Sequence, residues 1–233
     1  MNKTLIFTAT YNESRNIAQL IEKILNLNLN VDILVVDDNS PDRTYEIVEK
    51  FKNKFNNIFL ERRSGKLGLN TAHIFGYEFA LKHKYKNLIT MDADLSHDPK
   101  EIPNIIKLLD NNAFVIGSRY MKGGQNDMKK LRLLLSIIGN KFIKIILKSN
   151  GTEFTSSFRG FNLLKLKNFS FSQVESKGYS FFMETVIKIN RLGFKSFEFP
   201  IHFRNREHGV SKIPKIEILR TLFNVSKLFL KKH

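Results

Sequence analysis

Cysteine is absent from the 233 residues, which excludes a disulfide framework and a thiolate metal site. Long apolar runs are absent too. No window reaches the roughly 18 uncharged apolar residues that a membrane-spanning helix needs. The nearest, Leu133 to Asn140, is interrupted by Ser136 and Gly139 and flanked by lysines. The N-terminal run Leu5-Ile6-Phe7 is too short for a signal peptide and reads as a first strand. A cytoplasmic chain, or one at the cytoplasmic face of a membrane, is therefore expected. No Gly-x-Gly-x-x-Gly follows the first strand, which lowers a dinucleotide reading, and there is no Gly-Lys-Ser/Thr phosphate loop. RNP-like motifs, zinc-finger spacing and a basic region with heptads are missing, so nucleic acid is not the expected partner.

What is present is positive charge. The formal balance of +16 calls for an anionic partner such as a lipid surface or a phosphorylated substrate. The length suits one large domain, or a domain with an appendage.

Near-continuous apolar runs at Lys3 to Ala9, Val31 to Val36, Ile58 to Leu60, Leu88 to Met91 and Phe114 to Gly117 read as strands buried on both faces. Stretches with apolar residues at helical spacing alternate with them, for example Ile17, Leu20, Ile21, Ile24 and Leu25. Asn12 is the expected cap of that helix, and Ser40-Pro41 the start of the next, with a third from Thr71 to Leu81. The alternation predicts an α/β fold: a mostly parallel, doubly wound sheet with helices on both faces. Right-handed crossovers then gather Tyr11, Glu13, Asp37, Asp38, Asp92 and Asp94 at one edge, where such sheets bind ligands.

Asp92-Ala93-Asp94 follows the Leu88 strand directly, and Asp98-Pro99-Lys100-Glu101 opens a helix, with a capping box between Asp98 and Glu101. If the backbone stays extended, Asp92 and Asp94 project to the same side. Two hard oxygen ligands there suit a divalent cation bridged to substrate phosphates; the plainer reading is a helix cap and a solvated turn aspartate. An acidic edge without a phosphate-cradling glycine loop repels a nucleoside diphosphate unless a cation bridges them.

The remainder differs in character. Met121 to Met128, with Gly123-Gly124, reads as a flexible loop. Lys129 to Lys148 reads as a basic amphipathic helix with the stripe Leu131, Leu134, Leu135, Ile138, Phe142, Ile145 and Ile146. That stripe either packs on the core or lies at an anionic membrane. A short strand at Gly160 to Leu163, a helix from Phe181 to Leu192, extended chain from Phe194 to Phe203 broken at Pro200, and a basic loop Arg204 to Lys212 follow. Ile213 to Lys232 reads as a last amphipathic helix. Residues 1–212 form the expected catalytic domain, and 213–233 an appended basic helix.

Taken together, Thr10-Tyr11-Asn12-Glu13, Val35 to Asp42, Gly65 to Leu69, Met91 to Pro99, Gly117 to Tyr120, Thr155 to Arg159, Gly178 to Phe181 and Arg206 to Lys212 resemble the polyprenyl-phosphate sugar transferases of glycosyltransferase family 2, with dolichol-phosphate mannosyltransferases the nearest likeness. The segments run through almost the whole chain in the family's order. The resemblance implies a GT-A fold, a nucleotide-sugar donor, Mg2+ or Mn2+, a polyprenyl-phosphate acceptor and inversion at the sugar carbon. Ala9, Tyr11, Glu13, Val36 and one of Asp37 or Asp38 would hold the nucleoside. Asp92, Ala93 and Asp94, with Ser96 nearby, would hold metal and diphosphate. Arg119, Arg132 and Ser136 would meet the acceptor phosphate, and Arg206 and Lys212 would close over the phosphates. The chain departs from the family at Ala9 (usually Pro), Ser96 (often Gln), Glu153 (usually Asp) and Val210 within the Gly-Glu-Ser-Lys segment. None of these removes a charge from the proposed chemistry.

A lipid-linked acceptor also gives the basic helices a reason, docking at an anionic membrane surface alone or with a small membrane-anchoring subunit. The competing readings are a family 2 transferase with a soluble or glycan acceptor, and a non-catalytic basic membrane-binding relative.

Overall fold

A computed structural model describes residues 3–128, 130–146 and 151–206. The elements are β1 (Thr4–Thr10), α1 (Ile17–Leu25), β2 (Val31–Asp37), α2 (Thr44–Lys52), β3 (Ile58–Arg62), α3 (Leu69–Lys82), β4 (Asn87–Thr90), α4 (Ile102–Asn111), β5 (Phe114–Ser118), β6 (Gln125–Asn126), α5 (Lys130–Ile146), β7 (Arg159–Asn162), α6 (Tyr179–Arg191), β8 (Ser196–Pro200) and β9 (His202–Phe203).

Seven strands form one sheet in the order β3-β2-β1-β4-β7-β5-β8. All its ladders are parallel except the two made by β7, which runs antiparallel between β4 and β5. Side chains alternate between two cores. In β1, Leu5 and Phe7 face a layer with Tyr77 of α3 and Met183 of α6, while Ile6 faces Ile21 of α1, Val48 of α2 and Ile105 of α4. Helices thus cover both faces, which explains the unbroken apolar strands. Each such fully buried Ile, Leu or Phe contributes about 1.5–3 kcal/mol.

The insertion of β7 depends on Gly160. A Cβ there would come within 2.6 Å of Ile105 Cγ2 and 3.0 Å of Leu109 Cδ1, so only glycine lets α4 lie this close to the strand.

Several local expectations need correction. Asn12 does not cap α1. It sits in the left-handed region (φ 57°), and the helix begins at Ile17 after Asn16. Ser40-Pro41 does not start α2, which begins at Thr44 after a left-handed Arg43 (φ 60°). Asp98 does cap, accepting from Lys100 N at 3.0 Å, but it opens a 3-10 turn, Pro99–Glu101, that precedes α4. Glu101 does not close a capping box; its carboxylate faces Asn104 Nδ2 at 3.5 Å. The stretch Met121 to Met128 is not merely a loop, since β6 pairs in parallel with β9.

In α5 three residues of the expected stripe, Leu134, Ile138 and Ile145, are exposed. Among the described side chains of α5, Ile143 and Asn140 are buried, and Asn140 Oδ1 accepts from Phe154 N. No helix among the described residues is long and apolar enough to cross a membrane. Lys212 and the expected helix from Ile213 to Lys232 lie outside the described residues.

Candidate active site

The turns that leave β1 and β2 are stitched to each other. Asp37 is fully buried and accepts from Thr10 Oγ1 (2.8 Å), Ser40 N (2.9 Å) and Ser40 Oγ (2.5 Å). Asn12 N donates to Ser40 Oγ and Glu13 N to Thr44 Oγ1. Asp37 therefore builds the turn. The neighbouring Asp38 takes a different partner, the guanidinium of Arg63, through Nε at 2.5 Å and through Nη2. Arg63 also donates to Thr71 Oγ1 (2.6 Å) and Gly68 O (3.1 Å). It thereby ties the loop before α3 onto Asp38, and Gly68 turns that loop with φ +102°. The same loop brings Lys66 Nζ to 4.5 Å from the ring centre of Tyr11. Ala9 is half-buried, while Val36 is fully buried in the core, its backbone in register with Ala9. Glu13 accepts from Asn16 Nδ2 at 2.7 Å.

Asp92 and Asp94 follow β4, but not as extended chain. The backbone turns at once, with Leu95 left-handed at φ 63°, anchored by burial of its side chain. Asp94 is nearly buried. Its Oδ1 accepts from Ser96 N (3.1 Å) and Ser96 Oγ (2.6 Å), and its Oδ2 pairs with Arg206 Nη2 at 3.0 Å. Asp92 is 38% exposed in its side chain. Its Oδ1 accepts from Ser157 Oγ at 2.6 Å, and its backbone N–H donates to His97 Nδ1 at 3.2 Å.

That bond leaves the proton of a neutral imidazole on Nε2, which is buried and has no hydrogen-bond partner among the described residues. His97 stacks on Phe158. Burial lowers its pKa below the ordinary value against the opposing pull of Asp92 and Asp94, so the ring stays neutral. Asp92, Asp94 and the Ser96 hydroxyl are all hard oxygen donors, the set that Mg2+ and Mn2+ prefer. Among the described residues no group of three His, Cys, Asp or Glu side chains could hold a metal. The site presents two carboxylates, Asp92 and Asp94.

Across the site, Arg119 leaves β5. Its Nε and Nη2 form a fork on Glu153 (2.7 and 3.2 Å), and Nη2 also reaches Thr155 Oγ1. Glu153 is fully buried. Burial alone would raise its pKa, but the Arg119 charge and the bonds from Arg119 and Thr155 outweigh that and hold it below the usual carboxylate value. Glu153 also accepts from Thr155 N and Ser156 N, and its own N–H donates to Glu198. The Arg119 guanidinium lies 4.6 Å from the ring centre of Phe203 and 5.2 Å from that of Tyr120. Tyr120 in turn bonds Ser136 Oγ of α5 at 2.5 Å. Arg132 precedes Ser136 by one helical turn, which puts both on one face of α5. The Arg132 side chain lies outside the described set, as does Lys212.

The Glycosyl transferase family 2 profile matches residues 5–168. The chain belongs to glycosyl transferase family 2. Its sequence is 33% identical over 228 residues to a polyprenol monophosphomannose synthase of Mycolicibacterium smegmatis, covering 97% of this chain and 86% of that protein. It is 31% identical over 226 residues to an undecaprenyl-phosphate mannosyltransferase of Micrococcus luteus, covering 97% and 93%. Its fold resembles that of glucosyl-3-phosphoglycerate synthase from Mycobacterium tuberculosis, solved with Mn2+, UDP and phosphoglyceric acid. The TM-score is 0.68 at 15% identity, over 99% of this chain and 78% of that one. A mannosyltransferase of Pyrobaculum calidifontis, solved with GDP-mannose and Mn2+, gives 0.59 at 16% identity, over 99% and 64%. The fold of this family 2 glycosyltransferase is the expected GT-A fold, and the sheet described above is its scaffold.

The residues expected from the sequence do come together: Tyr11, Glu13, Asp37 and Asp38 around two adjoining strand ends, Asp92 with Asp94, and Arg119 beside the Ser136 helix. Arg206 joins the second cluster through Asp94. Arg63, Lys66, His97 and Ser157 are the residues that reading the sequence did not single out. Arg63 carries no signal beyond its charge. His97 and Ser157 lie inside motifs whose other members drew the attention.

Proposed function

We propose that this glycosyltransferase transfers a mannosyl group from a nucleotide-mannose donor such as GDP-mannose to the phosphate of a polyprenyl phosphate, with inversion at the anomeric carbon. The observation that carries the reading is the Asp94–Arg206 ion pair beside Asp92, with Arg119 held on Glu153 by the same loop whose Ser157 bonds Asp92. Support comes from the two mannosyl-transferring relatives, each matched over 97% of this chain. The reaction joins a dianionic phosphate to a sugar leaving a diphosphate, so both charge signs are needed side by side.

Tyr11, Glu13 and Asp38 receive the nucleoside, with Ala9, Val36 and Ala93 lining its approach through their backbone. Asp92 and Asp94, with Ser96, would hold Mg2+ or Mn2+, which when bound neutralises charge growing on the leaving diphosphate. Arg206, now on Asp94, moves to the diphosphate, the group to which the family resemblance also assigns Lys212. Arg119, aimed by Glu153, takes the acceptor phosphate together with Arg132 and Ser136. A phosphate monoester with a second pKa near about 6 is largely dianionic at neutral pH, so its oxygen attacks without a general base. The carbon–oxygen bond to the donor phosphate breaks with its electron pair as the new bond forms on the opposite face.

A lipid acceptor places residues 1–212 at a membrane surface. The basic segment 213–233, the exposed apolar residues of α5 and a small anchoring subunit are the candidates for holding the enzyme at the anionic cytoplasmic face. The test is release of nucleoside diphosphate from a panel of GDP- and UDP-sugars with Mg2+ or Mn2+, with and without a short polyprenyl phosphate. Release that needs both GDP-mannose and the lipid phosphate is expected. Turnover indifferent to the lipid would transfer the assignment to another acceptor.

A further inference from the structure

We propose that Ser157 is a positioning residue for the metal site, its hydroxyl fixing the carboxylate of Asp92 from across the sheet. The inference rests on the reading of Asp92 as a metal ligand. Asp94 is fixed locally, by Ser96 two residues away. The nearest local group to the Asp92 carboxylate, His97 Nδ1, stands 3.9 Å from Oδ2, beyond hydrogen-bond range. The Asp92 backbone is held by His97, but its side chain is 38% exposed, so packing does not choose its rotamer. The hydrogen bond that does comes from a residue 65 positions later, Ser157 Oγ to Oδ1 at 2.6 Å.

The placement of Ser157 follows from topology. β7 runs antiparallel to β4, with Thr90 opposite Arg159. The ladder ends at that pair, and two residues beyond it on each chain the Ser157 hydroxyl meets Asp92. The serine is itself tightly held. It is 4% exposed, and Thr90 Oγ1 donates to its carbonyl. Its neighbour Ser156 is held on both sides: the Ser156 carbonyl accepts from Arg159 Nε, and Ser156 N donates to Glu153. On the far side, Gly117 N donates to Phe158 O. The hydroxyl is therefore presented from a rigid backbone. With Oδ1 bonded to it, the rotation of Asp92 is set and Oδ2 keeps one direction.

A site in which the protein supplies two carboxylates is sensitive to losing the aim of one. Partners of metal ligands typically change metal affinity 10–100-fold when removed. The same loop links two functions: its Glu153 end aims Arg119 and its Ser157 end aims Asp92.

The test is Mn2+ binding to the full chain in the presence of GDP, followed by calorimetry or by the spin-resonance signal of free Mn2+, for wild type, Ser157→Ala, Ser157→Thr and Asp92→Asn. Ser157→Ala is expected to weaken Mn2+ binding by about 10–100-fold at unchanged melting temperature. Ser157→Thr, which keeps the hydroxyl, is expected to stay within about threefold of wild type, a rescue that a packing role would not produce. Ser157→Cys fills the same space with a weak donor and stands in for the alanine variant should that one unfold. In turnover, Ser157→Ala is expected to raise the Mn2+ requirement while leaving the KM for polyprenyl phosphate unchanged. Wild-type Mn2+ affinity in Ser157→Ala, with binding lost in Asp92→Asn, overturns the role of Ser157 and leaves the metal reading standing. Wild-type affinity in Asp92→Asn overturns both.

Discussion

On the proposed donor side, Asp37, Asp38 and Asp94 bond residues close in the chain or on the adjoining parallel strand, Ser40, Arg63 and Ser96, with Asp94 also reaching the distant Arg206. On the proposed acceptor side, Arg119 is held by Glu153, Tyr120 bonds Ser136, and Glu153 N donates to Glu198. The first set depends on consecutive βα units. The second depends on β7, β8 and α5 arriving from distant parts of the chain. The donor side thus resembles a motif and the acceptor side an assembly. Substitutions in the first should disturb one ligand, and substitutions in the second should disturb ligand and stability together.

Four substitutions press on that difference, in descending size of effect. Asp94→Ala should lower turnover at least about a hundredfold, since it removes the carboxylate paired with Arg206 and one of the two carboxylates proposed to hold the cation. Its melting temperature should stay near wild type; near-normal turnover would refute the metal assignment. Glu153→Ala should cost about 3–5 kcal/mol of stability by leaving Arg119 buried without its partner, read from urea unfolding. Arg119→Ala should raise the KM for polyprenyl phosphate about tenfold or more with a smaller change for the donor. Equal effects would place Arg119 at the diphosphate instead. Arg63→Ala should do the opposite, raising the donor KM several-fold through the loosened Asp38 and Gly68 loop while sparing the acceptor.

A smaller effect tests the core beneath both sides. His73 is buried among Phe7, Phe181 and Phe182, and burial, with Arg159 nearby, pushes its pKa down to about 3. The folded ring stays neutral where the unfolded one takes up a proton, below about 6.5. The unfolded state then binds more protons, so stability falls as pH drops from that value toward 3. His73→Phe should lose about 1–2 kcal/mol less than wild type between pH 7 and pH 5, measured by urea midpoints.

The same contrast governs what could be read from the sequence. The strands of the first half announced themselves, because burial on both faces makes them continuous apolar runs and each βα turn ends in polar residues. The carboxylates at Asp92 and Asp94 were legible from their place after such a run. The start of α1 was misread because the Asn12 side chain, a good cap by residue type, instead accepts from Asp42 N in the neighbouring turn. That Asp37 builds the turn with Ser40 while Asp38 holds Arg63 shows only in the folded chain, since two adjacent aspartates look identical in sequence. The stripe of α5 read as core-facing or membrane-facing, and Leu134, Ile138 and Ile145 are exposed; periodicity names a face and not what covers it. Ser157 could not be found locally, since its role exists only through the antiparallel register of β7.

That inserted strand also sets an order of assembly. β4 and β5 are successive strands of the sheet's sequence, but they share no ladder. Until Arg159–Asn162 arrives, a slot one strand wide, about 10 Å between backbones, parts them. A chain emerging from the ribosome completes the β1 to β4 layer first. It carries β5 with open edges until β7 and then β8 are made. Both carboxylates of the catalytic turn are already synthesised at that stage, but the hydroxyl that aims Asp92 is not. The Ser157 bond to Asp92 is therefore made in the same event that joins β4 to β5 through β7, and a bulky residue at Gly160 would block both at once.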